Sequence, residues 1–380
     1  MPGKPQAELF GLNNQELKEL VRRFGQPDYR GDQLFAALYR QRVSEIADIT
    51  TLSRGLREKL AEEFQLGLPR LEKKFVSADG TVRYLLSLGD GELVETVWMP
   101  EGDGGEAGDW ADEPAATNFD RATICVSSQA GCGLDCQFCL TALLGMKRNL
   151  TAGEIAGQVV SVLRDLQVDP EGERLNLVFM GMGEPFLNYG NFMKAVRLLA
   201  EGVGIAAPRM TVSTAGIVPR IRDFGLEPLR PKLAISLNAS SDELRSRLMP
   251  VNHKWNLGEL MAAAAEFPLR TRERLTFEYV LLRDVNDSPL QARELAGLLE
   301  GLRCKVNLIA WNAGPGIALA APSGERVQAF QEALTRAGVP AFLRRPRGRD
   351  IFAACGQLKA TEEEVFGRRP SVVGQQAPRD

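Results

Sequence analysis

The chain has 380 residues, 44% hydrophobic and 25% charged, the balance of a globular protein with room for one large domain and a smaller one. No apolar stretch approaches the ~20 residues a membrane span needs, and the opening Met1–Glu8 lacks the apolar core of a secretion signal, so the expected location is the cytoplasm with no membrane partner. A formal charge of −3 with a single histidine, His253, excludes sites built from several histidines and argues against a nucleic-acid partner until the charge distribution is read.

Residues 14–66 space their leucines at helical intervals. Asn14-Gln-Glu-Leu-Lys-Glu-Leu-Val, Gly31-Asp-Gln-Leu-Phe-Ala-Ala-Leu-Tyr and Leu52-Ser-Arg-Gly-Leu-Arg-Glu-Lys-Leu read as helices, the first beginning with a cap at Asn14. Residues 1–70 are therefore expected to form a small helical domain. From 71 the period changes to two. Lys73–Ser77, a turn at Ala78-Asp-Gly-Thr, Arg83–Leu88 and Gly91–Trp98 predict a β-hairpin and a further strand, a linking β unit. Residues 101–120 hold seven acids and no bases; they read as a flexible insertion, and without them the chain carries +4. The β unit with this insertion is assigned 71–117.

From residue 118 to 358 strands and helices alternate. Strands are predicted at Ala122–Ser127, Leu175–Met180, Met210–Thr214, Lys232–Leu237, Leu275–Leu281 and Lys305–Ala310. Helices are predicted at Thr151–Leu166, Gly190–Glu201, Pro289–Leu302 and Glu325–Ala337. This is the pattern of a parallel α/β sheet, open or curved into a partial barrel, whose ligands bind at the carboxyl ends of the strands. His253, in Pro250-Val-Asn-His-Lys-Trp, reads as a solvated loop residue, and 359–380 as a tail. Arg344, Arg345, Arg347 and Arg349 form either a solvated rim or a phosphate-binding cluster.

Six cysteines are present: Cys125, Cys132, Cys136, Cys139, Cys304 and Cys355. Three of them stand at spacings of four and three in Cys132-Gly-Leu-Asp-Cys136-Gln-Phe-Cys139, directly after the first strand. Three thiols with no fourth nearby suit a [4Fe–4S] cluster with one open iron; the alternative is a zinc site completed by another thiol such as Cys125. After the second strand, Gly181-Met-Gly183-Glu184-Pro185 offers glycines that let a backbone approach a ligand and a carboxylate that meets an ammonium. Ser213, Ser236-Leu237-Asn238 and Asn312 sit at further strand ends, where ordinary loop chemistry is the competing reading. Cys304 reads as a small buried hydrophobe.

The CxxxCxxC loop at the head of a six-strand α/β repeat resembles the radical S-adenosylmethionine superfamily. Glu95-Thr-Val-Trp-Met-Pro, Arg121–Cys132, Gly145-Met-Lys-Arg-Asn-Leu and Arg347-Gly-Arg-Asp-Ile-Phe-Ala-Ala-Cys355-Gly-Gln-Leu resemble the RlmN family over nearly the whole chain. The resemblance implies a partial (β/α)6 barrel and a [4Fe–4S] cluster on Cys132, Cys136 and Cys139. It implies S-adenosylmethionine at Gly183, Glu184, Ser213, Ser236, Leu237, Asn238 and Asn312, with two molecules used per turnover. The implied reaction is methylation of carbon 2 of an adenine in 23S ribosomal RNA and in transfer RNA, with the 1–70 domain binding RNA. Cys355 would carry the methyl group, Cys125 would release the product through a transient disulfide with Cys355, and Glu95 would take the carbon-2 proton. An electron donor such as flavodoxin and a monomeric state are also implied. Methylation of carbon 8 by a related group, or a non-catalytic zinc- and RNA-binding protein, are the alternatives.

Overall fold

The computed structural model describes residues 6–101, 121–170, 172, 174–314, 316–344, 346–354 and 356–358. The acidic insertion beyond Glu101, the tail after Leu358, Arg345 and Cys355 lie outside the described residues.

Strand β1 (Ala7–Glu8) begins the amino-terminal unit, which continues through helices α1 (Asn14–Arg23), α2 (Tyr29–Phe35) and α3 (Arg54–Glu63). It closes where β2 (Phe64–Gln65) pairs in parallel with β1. The cap of α1 is Asn13 rather than the expected Asn14. Its side chain accepts the Glu16 amide at 2.9 Å while the Glu16 carboxylate accepts the Asn13 amide at 2.7 Å, a reciprocal arrangement that satisfies two orphan donors. Leu17, Leu20 and Val21 form the buried face.

Strands β3 (Arg70–Val76), β4 (Val82–Ser87) and β5 (Leu93–Glu101) form an antiparallel meander. The expected hairpin and further strand are present, and β5 also pairs antiparallel with β6 (Arg121–Cys125), so the meander extends the main sheet. The reason lies in β4, where Val82 to Leu86 are all buried. A strand covered on both faces belongs inside a sheet.

After β6 a short pair, β7 (Gln129–Gly131), then helix α4 (Leu140–Leu143) and β8 (Met146–Asn149), brackets the three-cysteine segment. Thereafter strand and helix alternate as α5 (Ala152–Leu166), β9 (Leu175–Phe179), α6 (Tyr189–Arg197), β10 (Met210–Thr214), α7 (Val218–Gly225), β11 (Lys232–Ser236), α8 (Asp242–Leu248), α9 (Leu257–Glu266), β12 (Leu275–Leu281), α10 (Pro289–Leu298), β13 (Cys304–Ala310), α11 (Gly324–Arg336) and β14 (Ala341–Leu343). The six predicted strands fall within two residues of their predicted ends. The helix predicted to run to Glu201 leaves α-geometry after Arg197 and finishes as a π-turn, Leu198–Val203.

Among the described residues the sheet has ten strands in the order β14-β13-β12-β11-β10-β9-β6-β5-β4-β3. From β6 to β14 every neighbour is parallel. β3 and β14 remain edges, so the barrel is partial. Loops meet across its mouth: the Trp311 indole after β13 donates to the Phe138 carbonyl after β7 at 3.0 Å. This contact joins the loop after the first parallel strand to the loop after β13, closing the two ends of the parallel run towards each other at the mouth. Among the described residues no helix is long and apolar enough to cross a membrane.

Candidate active site

The three cysteines occupy a loop whose base is pinned by β7 and β8. Gly131 there has φ +79°, and a Cβ on it would fall 1.8 Å from the Gly145 carbonyl oxygen; only glycine permits this crossing. The Cys132 amide donates to that same oxygen at 3.1 Å, and the Cys139 amide donates to the Cys136 carbonyl at 3.1 Å. The Gln137 amide donates to Leu248 at the end of α8 at 3.0 Å.

All three thiols are half-buried. Burial pushes Cys132 up to about 12, against hydrogen bonds from Leu134 and Gly183 that favour the thiolate. Burial likewise pushes Cys136 and Cys139 up, and neighbouring Cys139, Cys132 and Glu184 push Cys136 further. Negative charge is thus disfavoured here until a cation arrives, and binding one displaces the protons. Among the described residues no three His, Cys, Asp or Glu side chains converge on one ion position. A cubane gives each thiolate its own iron and needs no such convergence. The donor set fits a cluster.

The loop after β9 crosses directly over this segment. Gly181 and Gly183 were expected to open the backbone to a ligand; in the structure they make room for Ser127 and Gln129, whose atoms lie within 3 Å of a Cβ built on either glycine. The Glu184 carboxylate is buried, accepting the Phe186 amide at 3.0 Å and the Ala215 amide at 2.8 Å. Burial raises it to about 7 despite those donors. Gln129 Oε1 accepts the amides of both Gly133 (3.3 Å) and Glu184 (2.9 Å), tying the two loops together.

Strand register assembles the remaining polar groups on one face. Val97 pairs with both Arg83 and Cys125, Cys125 with Val178, and Val178 with Thr211. Side chains two residues apart share a face, which adds Glu95 and Ser213. Ser213 pairs with Ala234, Ser236 with Glu278, and Glu278 with Asn307. The opposite face holds Leu177, Val212, Ile235, Phe277 and Leu308, all fully buried in the apolar core. Glu95 is fully buried in an ion pair with Arg83, whose guanidinium lies 4.1 Å from the Phe75 ring centre. Ser213 donates to Glu278 Oε2 at 2.9 Å and lies 3.2 Å from the Ser236 hydroxyl.

Other predicted residues are committed to the fold. Leu237 is fully buried and uses its main chain. Asn238 adopts φ +59°, and its side chain accepts the Val280 amide at 2.8 Å and donates to Met249 sulfur at 3.2 Å. Asn312 Oδ1 accepts from Arg349 at 3.0 Å, and Asn307, with its amide turned, accepts from Arg344. Two of the four arginines read as a rim are therefore engaged at the strand ends. Cys304 is buried at the start of β13, as read, and His253 is exposed.

Although Cys355 itself is not described, the chain on both sides is anchored. The Leu140 amide donates to the Gly356 carbonyl at 2.8 Å, next to Cys139. Gln357 donates to the Ala313 carbonyl at 2.8 Å, and Asp350 accepts Ser77 Oγ at 2.5 Å. Sequence reading missed Arg83, Gln158, Arg245 and Glu278. An acid inside the apolar run Leu-Thr-Phe-Glu278-Tyr-Val-Leu was the available signal for the last.

A half-barrel of parallel strands with a three-thiol loop after the first defines a radical S-adenosylmethionine enzyme. The superfamily model matches residues 126–296, and a model described as "Ribosomal RNA large subunit methyltransferase N-terminal domain" matches residues 7–66. A protein of Koribacter versatilis named "Probable dual-specificity RNA methyltransferase RlmN" is 62% identical over 343 residues, 90% of this chain and 99% of its own. The Dual-specificity RNA methyltransferase RlmN of Syntrophobacter fumaroxidans is 45% identical over 348 residues, 91% of this chain and 96% of its own. The crystal structure of a radical SAM methyltransferase from Sphaerobacter thermophilus matches with a TM-score of 0.85 at 43% identity, covering 94% of this chain and 100% of that one. The chain belongs to the RlmN family. Membership implies a [4Fe–4S] cluster and S-adenosylmethionine.

Proposed function

We propose that this enzyme methylates carbon 2 of an adenine in 23S ribosomal RNA and in transfer RNA, with Cys355 carrying the methyl group and Cys125 resolving the RNA adduct. The observation that carries the reading is the joint placement of Cys125 and Glu95 on the polar face of the sheet, beside a thiol loop to which the chain flanking Cys355 is fastened. Cys132, Cys136 and Cys139 would hold the cluster, which supplies the electron that cleaves S-adenosylmethionine. Glu184, Ser213 and Ser236 surround the place where that molecule binds.

Carbon 2 of adenine is electron-poor and resists a methyl cation equivalent, so a carbon radical must be delivered to it. Cys355, as thiolate, takes a methyl group from one S-adenosylmethionine; hydrogen abstraction from that methyl gives a radical that adds to carbon 2. Glu95 removes the carbon-2 proton while the adduct's unpaired electron would return to the cluster. The Cys125 thiolate then attacks the Cys355 sulfur, and the carbon–sulfur bond breaks as the disulfide forms. The released carbon keeps the bonding pair and takes up a proton to become the methyl group. The helical domain of residues 1–70 serves RNA binding, helped by Arg347, which is neither of the two arginines held at the strand ends by Asn307 and Asn312.

Reconstituted enzyme incubated with ribosomal and transfer RNA tests the reading by mass spectrometry of the nucleosides. The expected product is 2-methyladenosine from both RNAs. 8-Methyladenosine as sole product overturns the assignment of carbon 2. A Cys125→Ala variant is expected to accumulate a covalent Cys355–RNA adduct, and free methylated RNA from it would refute the resolving role.

A further inference from the structure

Arg245 on α8 is fully buried, and a buried guanidinium is costly unless an anion answers it. None of its hydrogen bonds goes to one. Nη2 donates to the carbonyls of Ala215 (2.6 Å) and Ser236 (3.2 Å), Nε to the Leu237 carbonyl (3.2 Å), and Nη1 to Asn252 Oδ1 (2.9 Å). The nearby Asp242 spends its Oδ1 on Asn252 and the Leu257 amide, both at 2.8 Å. Ala215 and Ser236 mark the carboxyl ends of β10 and β11, so the cation sits under the mouth of the half-barrel.

The thiol loop packs against the same helix. Cys136 packs on the small apolar cluster of Ala215, Ala239, Leu244, Leu248, Met249, Leu282 and Trp311. The adjacent Gln137 amide is bonded to Leu248, one turn along α8 from Arg245. Arg245 Nη2 is bonded to the carbonyl of Ala215, a member of the same apolar cluster on which Cys136 packs. Burial pulls the guanidinium down to about 10, so it remains charged at neutral pH.

We propose that Arg245 is a positioning residue for the iron–sulfur cluster, an interior cation that offsets the thiolates' negative charge and sets the cluster's reduction potential. This rests on the reading that Cys132, Cys136 and Cys139 hold that cluster. Accepting one electron makes the cluster more negative, and a fixed cation in a low-dielectric interior favours the more negative state. It thereby raises the potential. The four hydrogen bonds to neutral acceptors fix the guanidinium's position.

The test uses anaerobically reconstituted full-length enzyme, with dithionite as electron source and the reduced cluster followed by electron paramagnetic resonance across a redox titration. Arg245→Met is expected to lower the reduced-to-oxidised ratio at a fixed potential about tenfold, equivalent to about 59 mV for a one-electron couple. Arg245→Lys, which keeps the charge, is expected to stay within about threefold of the parent. Where the Met variant fails to fold, Arg245→Gln, which retains neutral hydrogen bonds, carries the same readout. A neutral variant with a full iron complement and an unchanged potential overturns the proposal. So does a Lys variant displaced as far as the neutral one, since the guanidinium's bonding rather than its charge would then be responsible. Parent protein that takes up no iron and sulfide overturns the cluster reading itself, a result distinct from either.

Discussion

Breaking the Arg83–Glu95 ion pair is the most direct test of how the site is built. Both side chains are buried, Glu95 completely, and removing one member of such a pair leaves an uncompensated interior charge at a cost of about 3–5 kcal/mol. Arg83→Met is therefore expected to destabilise the protein by that amount, read as a lowered midpoint in urea. Glu95→Gln keeps the shape but leaves the guanidinium over the Phe75 ring without its carboxylate, and falls at the lower end of the same range. In the double variant neither charge is stranded, and well-packed neutral replacements of buried pairs are often nearly neutral. The two losses should thus fall short of adding by ~2 kcal/mol or more, a coupling typical of residues in contact. Activity separates the structural role from the chemical one. Glu95→Gln should lose about 100- to 10,000-fold in turnover, the usual worth of a positioned base. Arg83→Met should lose activity as well, because Glu95 loses the guanidinium that orients its carboxylate. An Arg83→Met protein within ~0.5 kcal/mol of the parent, or singles that simply add, would refute this account of the pair.

Gly131→Ala places a methyl group 1.8 Å from the Gly145 oxygen at a left-handed residue; it should cost at least ~2 kcal/mol and lower iron bound per chain, and full loading would count against the pinned-loop account. Burial raises the Glu278 carboxyl above its ordinary value, so the folded state holds this proton more tightly than the unfolded one. Stability should then fall as pH rises from the ordinary carboxylate range towards the raised value, and Glu278→Gln should remove that slope from urea midpoints measured between pH ~4.5 and ~7; parallel curves would contradict it. Burial raises the Asp79 carboxyl, but hydrogen bonds from Gly348, Thr81 and Ser77 outweigh it and hold the group below its usual value. The tether to Gly348, at 3.0 Å, is thus present above the ordinary carboxylate range and lost as pH falls through the lowered value. Asp79→Ala should speed amide exchange over 346–354 about tenfold at neutral pH, and unchanged exchange would show that the tether holds nothing.

The parallel strands were legible because each is a short apolar run bounded by turn residues, and their order follows the chain. β14 was not, since three residues carry no period. The pairing of the meander with β6 was not legible, because alternation reveals a strand but not its neighbour. Val82–Leu86 are hydrophobic enough to be covered on both faces only once β5 is known to reach β6. The thiol loop, Glu95 and Cys125 were legible from spacing and family likeness. Their supports were not. Arg83 lies twelve residues from Glu95 and Arg245 more than one hundred from Cys136, and nothing in either local sequence distinguishes these arginines from solvated ones. Buried charge is a property of the fold, and sequence shows it only when, as with Glu278, it interrupts an apolar strand.

The geometry among Glu95, the thiol loop and Glu184 is fixed by uncharged side chains, for an electrostatic reason. Gln158 on α5 accepts Thr96 Oγ1 at 2.6 Å and the Ser127 amide at 2.9 Å while donating to the Ser127 carbonyl at 2.9 Å. Ser127 in turn donates to the Glu95 carbonyl at 2.6 Å and accepts the Met182 amide at 2.9 Å. Gln129 then carries the chain of bonds to Gly133 and Glu184. Each amide donates and accepts at once, which a carboxylate or an ammonium cannot do. A satisfied buried network of this kind rigidifies its members. An acid at 158 would face the Ser127 carbonyl with no donor and add repulsion in a region where the thiols and Glu184 already oppose one another's ionisation. Neutral amides hold the loops in register without adding charge beside the thiols and Glu184.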